Sequence, residues 1–202
     1  MTIQLITTMN NLSELWRNQT LVNRVGSDSM IATEYYTLVK YVVENYKERM
    51  ETIQCPLLHL ICHCIELKYK EVNLHALQHS YINGDIEPTR KGHDLQKLSS
   101  IFTDICKKIT NEDSCSDDDK DLLENRVIPK HIDLCNMLDA STTTYRYFAK
   151  YDKNGNMMNK SISFVNDEDS PNIHELFPLF EDCYSSASYV SYILDILLPS
   201  EQ

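Results

Sequence analysis

Residues Pro56 to Ile82 read PLLHLICHCIELKYKEVNLHALQHSYI, and their period decides the fold. Leu57, Leu60, Ile61, Cys64, Leu67 and Lys68 fall on one helical face, which Leu74 and Leu77 extend with some drift. Pro56 suits a first helical turn, where its missing N–H has no partner to lose. Asn83-Gly84-Asp85 and Glu87-Pro88 then stop the run. A second amphipathic run opens at His93, with Leu95, Leu98, Ile101, Phe102, Ile105 and Ile109 on the 3.6 period. Asp94 stands where a carboxylate favours the positive end of a helix. A loop of this length predicts an antiparallel pair packed through its apolar faces, with the segment around Glu66 innermost.

Working outward, residues 1–27 are weakly patterned, with Leu12, Leu15 and Trp16 as the candidate for a short helix capped by Asn10 or Asn11 and ending at Gly26. Ser27-Asp28-Ser29 supplies helix caps for a run over about Met30–Met50, whose apolar positions are Ile31, Tyr35, Leu38, Val42 and Tyr46. Beyond the central pair, Asp117-Asp118-Asp119 reads as an exposed acidic loop leading into a helix near Asp121 that must kink or restart at Pro129. A metal there would lack the glycine and distal glutamate of a calcium loop, so the solvated loop is the expected reading. Residues 141–171 change character. Thr142 to Phe148 is β-prone, Asp152-Lys153-Asn154-Gly155 is a turn signal, and Ser161 to Val165 is a returning strand candidate. The last helix carries Ile173, Phe177, Phe180, Tyr184, Ala187, Ser191, Leu194 and Leu198, broadened by Leu176, Cys183 and Val190, with its regular part expected from about Leu179. The expected fold is therefore mainly α. It is one domain over residues 1–202, an up-down bundle of about five main helices with a small β-hairpin insertion near 144–165.

Composition narrows the function classes. A hydrophobic content of 42% and a mean hydropathy of -0.38 describe an ordinary globule. No apolar run approaches a membrane span, and Met1-Thr2-Ile3-Gln4-Leu5 lacks a basic export start, so a cytoplasmic protein with no membrane partner is expected. Four glycines and no G-x-G-x-x-G or Walker pattern argue against phosphate-cradling loops. No cofactor is expected. A net charge of -11 means that nucleic acid would have to be met by a local basic patch, while the acidic surface itself suits a protein partner. Seven cysteines, an odd number, read as reduced thiols.

The central stretch resembles the HEPN superfamily, small helical domains of prokaryotic RNA cleavage, defence and toxin–antitoxin systems. Cys64-Ile65-Glu66-Leu67-Lys68 is similar to the family's E-L-x-L-K-type helix, and Gly92-His93-Asp94-Leu95 with Leu98 to its G-H-D-L-x-x-L helix start. Tyr145-Arg146-Tyr147-Phe148 resembles an Arg-Tyr-Pro element in which Phe148 replaces the proline. The first two echoes cover about a quarter of the chain. The resemblance implies a helical, RNA-related protein, a homodimer, a capping role for His93, and in catalytic members a metal-independent endoribonuclease. The competing expectation is a non-catalytic acidic protein acting as a binding partner or subunit.

Catalytic members of the family share an Arg followed after four to six residues by a His, since a histidine moves the 2′-hydroxyl proton while an arginine holds the phosphate. Arg126-Val127-Ile128-Pro129-Lys130-His131 is the match here. Pro129 interrupts its register, and the last helix from Leu179 holds neither residue type, so an ordinary helix face competes with the catalytic reading. Arg146, Lys150 and Lys153, interleaved with Tyr147 and its aromatic neighbours, form the candidate RNA-binding cluster, against the simpler reading of a hairpin with solvated lysines. The i, i+4 pairs His59/His63 and His75/His79 suit zinc by spacing, with Cys55, Cys62 and Cys64 near, but no third ligand has a zinc-finger spacing, so satisfied or partly buried histidines and no metal site are expected.

Overall fold

The computed structural model describes residues 28–46, 50–138, 150–151, 157–158 and 172–198. Those residues are mainly helical. They form α1 (Asp28–Asn45), α2 (Met50–Gln78), α3 (Ile86–Lys91), α4 (Leu95–Thr110), α5 (Asp117–Leu122), a π-helical turn (Leu123–Val127), α6 (Ile128–Met137) and α7 (Ile173–Leu197). Lys150–Tyr151 (β1) pairs antiparallel with Met157–Met158 (β2), Lys150 opposite Met158. Two residues a side fall short of the hairpin expected over 144–165, whose remainder lies outside the described residues, as does the segment 1–27.

Helix α2 is the hub, packing against α1, α3, α4 and α7. Leu57, Leu58, Ile61, Cys62, Cys64, Ile65, Tyr69, Val72 and Ala76 are all buried, and so are Leu67, Leu74 and Leu77. A helix with core residues on nearly every side belongs inside a bundle rather than on its surface. Around it, α4 packs on α6, and α6 on α7, which closes a ring of four helices.

The direction of these helices departs from the simple up-down order. Glu66 meets His93, Asn73 donates to the carbonyl of Leu98, and Tyr81 donates to Glu112, so α2 and α4 run the same way. The antiparallel expectation fails because α3 and its flanking turns carry the chain back along α2 before α4 begins. Helix α1 is antiparallel to α2, with Cys64 donating to the carbonyl of Ala32. Helix α7 runs with α2, matching Lys68 to Tyr184, Glu71 to Ser191 and His75 to Asp195 along its length.

Local signals explain most helix ends. Asp94, Ser116 and Asn172 each accept a backbone N–H one or two residues into the helix that follows. The prolines behave differently from expectation. Pro56 and Pro178 lie inside α2 and α7 instead of opening them; Leu176 and Phe180 are buried on either side of Pro178, and Leu57 and Leu58 are buried directly after Pro56. Pro129 does restart a helix: it sits in the first turn of α6, and the preceding π turn passes its spare carbonyl at Leu123 to the N–H of Ile128. In α1 the inward residues are Ala32, Val39 and Val43, one position off the expected stripe.

Helix α2 ends by a Schellman pattern, with the N–H of Tyr81 on the carbonyl of Ala76 and that of Ser80 on Leu77. Ser80 holds φ 54 to make this turn, a conformation in which a Cβ is strained. Ser80→Gly should therefore stabilise the fold by about 1 kcal/mol, read as a higher urea midpoint at unchanged m-value.

Candidate functional site

The ring of four helices closes on one imidazole. His131, on α6, is 0% exposed. Its Nδ1 lies 2.8 Å from the hydroxyl of Tyr69 on α2, and its Nε2 lies 2.9 Å from Ser186 Oγ on α7. Ser186 also donates to the carbonyl of Cys183 at 3.1 Å. A consistent proton order follows: Tyr69 donates to Nδ1, Nε2–H donates to Ser186, and Ser186 donates onward. Phe102 of α4 packs on the ring with centroids 4.3 Å apart, and Tyr69 lies 5.2 Å from Phe102. Burial disfavours the charged imidazolium and pushes the His131 pKa down to about 3.

Arg126 is exposed, in the π turn one segment earlier. The pair matched by spacing is thus divided between solvent and core. In this arrangement the His131 ring is a weak base and meets no solvent, while Arg126 is free to reach a phosphate. The partners of His131 lie 62 and 55 residues away in the chain, and no spacing rule links them to it. Of the basic-aromatic cluster, Lys150 lies in β1, whereas Arg146, Tyr147 and Lys153 lie outside the described residues.

Of the i, i+4 histidines, His59, His63 and His75 are half-buried and His79 is exposed. His59 and His63 stack with centroids 6.2 Å apart, and Tyr35 meets His63 edge-on at 4.9 Å. His75 meets Asp195 at 3.5 Å and His79 ring to ring at 4.9 Å. Among the described residues no group of three or more His, Cys, Asp or Glu side chains is placed to hold a metal ion. In the acidic stretch, Asp119 accepts from Ser116 and from Tyr189 of α7, and these hydrogen bonds, Ser116 first, lower its pKa. Cys62, Cys64, Cys106, Cys115, Cys135 and Cys183 are free thiols. Burial pushes Cys64 up to about 12, so it is a packed side chain and not a nucleophile.

A second polar cluster lies between α2 and the turn before α4. Glu66 is 0% exposed, and its Oε1 accepts from Lys70 Nζ at 2.9 Å. The same oxygen lies 2.9 Å from Nδ1 of His93. A carboxylate already facing an ammonium acts as acceptor, so Nδ1 of His93 carries the proton. Lys70 is buried, whereas the His93 side chain is 55% exposed. One turn along, Lys68 pairs with Glu71 at 2.9 Å and lies over the ring of Tyr184 at 5.2 Å. Glu66 and His93 stand 27 residues apart, and the helical period of Pro56–Ile82 hints only that Glu66 is near the core.

No family model, curated protein or solved structure matches the chain. Among the described residues no helix is long and apolar enough to cross a membrane.

The neutral His131 gives a signed pH dependence. Unfolded, the ring takes a proton below pH ~6.5, whereas the folded ring does so only near its lowered value. Stability from this group is present above pH ~6.5 and is lost as pH falls toward 3, at up to about 1.4 kcal/mol per pH unit. Urea titrations between pH 7 and 5 should show this slope in the native chain and a shallower one in His131→Gln.

Proposed function

We propose that the chain is a HEPN-like protein acting on or with RNA in a prokaryotic defence or toxin–antitoxin setting, as a homodimer. The observation that carries this reading is the meeting of its two pattern-bearing segments: Glu66 of the E-L-x-L-K-like helix and His93 of the G-H-D-L-like turn share a 2.9 Å contact over a buried carboxylate. Leu67 and Leu98, which accompany them in sequence, are both buried in the same core. Phosphate would be met locally, through Arg146, Lys150 and Lys153 with Tyr147, against a net charge of -11.

A second reading has its own observation. With His131 sealed in the core, the Arg126/His131 pair is poorly placed for 2′-hydroxyl chemistry, which favours a non-catalytic acidic protein that binds a partner or subunit. Cleavage through that pair would require α6 and α7 to part around the ring.

Fluorescence anisotropy with a labelled single-stranded RNA separates the two. The RNA reading expects binding whose log K falls with log salt at a slope of about -2, for roughly three phosphate contacts, with Arg146→Ala making it shallower by about 0.7. Absence of binding at low salt would leave the partner-protein reading.

A further inference from the structure

Large apolar side chains that stand singly on a protein surface need no explanation, whereas neighbouring ones do. Tyr192 and Ile196 lie one turn apart on α7 and are each 60% exposed. Among the described residues they are the most exposed large apolar side chains, and no other two lie within one helical turn of each other. They continue a stripe from Tyr189, three residues earlier, whose hydroxyl donates to Asp119 at the start of α5. Ile193 and Leu197 lie half-buried beside that stripe. Ala187, Val190 and Leu194 are buried on the inner side of the same helix, which fixes Tyr192 and Ile196 outward.

The rim of this patch is acidic. Asp119 marks one border, with Asp117 and Asp118 exposed in the same first turn of α5. Asp195 marks the other, its side chain 66% exposed and 3.5 Å from His75 of α2. Helix α7 contains no lysine or arginine. Its earlier carboxylates, Glu181 and Asp182, are met by Lys40 of α1 and Lys130 of α6, whereas Asp195 faces a histidine. An apolar pair between two carboxylate borders complements a segment whose apolar stripe is flanked by cations. A second copy would bring the same carboxylates face to face, with a net charge of -11 on each chain, so the homodimer proposed above has to use another surface. Nucleic acid and anionic lipid are repelled in the same way.

We propose that the outer face of α7 from Tyr189 to Ile196, with the start of α5, docks a basic amphipathic helix of another protein. Tyr192 and Ile196 are the anchors and seat between partner side chains spaced three or four residues apart. Asp119 and Asp195 line the two edges and face the partner's lysines or arginines. The anchors supply most of the affinity, because an aromatic side chain desolvated at the centre of an interface outweighs a charge pair at a wet rim. The rim sets orientation, association rate and salt dependence. The surface shares no residue with the RNA reading and goes beyond it.

The test titrates the full chain into a fluorescein-labelled helical peptide of leucine and lysine, with the leucines along one face, at low and at physiological salt. Light scattering records the mass of each variant. Tyr192→Ser/Ile196→Ser, two changes at exposed positions, should weaken peptide binding by about 10-fold or more at an unchanged unfolding midpoint. Asp119→Asn/Asp195→Asn should weaken it about 3-fold and flatten its salt dependence. Asp104→Asn/Asp113→Asn removes the same charge from exposed positions elsewhere and should leave binding unchanged. The proposal is overturned if the native chain does not bind the peptide at low salt, or if Tyr192→Ser/Ile196→Ser binds it as well as the native chain does. It is overturned equally if Asp104→Asn/Asp113→Asn weakens binding as much as Asp119→Asn/Asp195→Asn, which is attraction to net charge alone. A native dimer that Tyr192→Ser/Ile196→Ser converts to a monomer also sinks it, because a second copy then holds the face.

Discussion

Four helices converge on a single neutral imidazole, and the bundle depends on that convergence. His131 comes from α6, takes a hydrogen bond from Tyr69 of α2, gives one to Ser186 of α7 and packs at a tilt against Phe102 of α4. A buried ring with two polar nitrogens is costly unless both are satisfied, and here each has one partner in the right role. The arrangement also selects a geometry. Phe102 and Tyr69 confine the ring plane, so the relative rotation of α2, α4, α6 and α7 is held by hydrogen-bond direction as well as by apolar packing. Hydrophobic burial supplies most of the driving force, but shape-tolerant leucines alone would permit sliding that these directional bonds oppose.

Helix α2 adds a second directional element. Glu66, Lys68 and Lys70 lie within five residues on the innermost helix, and all three are buried. Desolvating such charges usually costs as much as their pairing returns, so their presence is poor evidence for stability. Their arrangement is better understood as specification: Glu66 and Lys70 draw the turn at His93 onto one side of α2, while Lys68 and Glu71 meet Tyr184 and Ser191 of α7 on another. The parallel course of α2 and α4 requires such a tie, because α3 and its flanking turns must return the chain from the end of α2 to the level of Glu66 before α4 begins.

The helices were legible because their apolar residues recur at 3.6, and Leu95 to Ile109 shows the period with little interruption. Helix ends were legible where a side chain performs a local task, as Asp94 does. Direction was not, since loop length alone cannot tell a hairpin from a return path containing its own helix. Pro178 misled because the burial of Leu176 and Phe180 around it outweighed a local backbone defect, and Pro56 lies six residues inside a helix that begins at Met50. The site was harder still. The spacing of Arg126 and His131 says how far apart two residues are along the chain but nothing of whether each faces water, and His131 is a core residue by virtue of Tyr69 and Ser186, distant positions that share no pattern with it. His93 was visible in a turn-like context, yet its contact with Glu66 depends on the parallel packing that sequence reasoning missed.

The π turn at Leu123–Val127 has a bearing on how such chains are compared. On an α-helix, five residues advance the side chain by one turn and about 140° more, so Arg-x4-His residues diverge unless the helix is wound differently between them. Closing hydrogen bonds at i→i+5 widens the turn and rewrites that angle. Residue counts are therefore an unreliable ruler wherever a helix changes its winding. Angular phase, measured from the bundle axis, is the quantity to align.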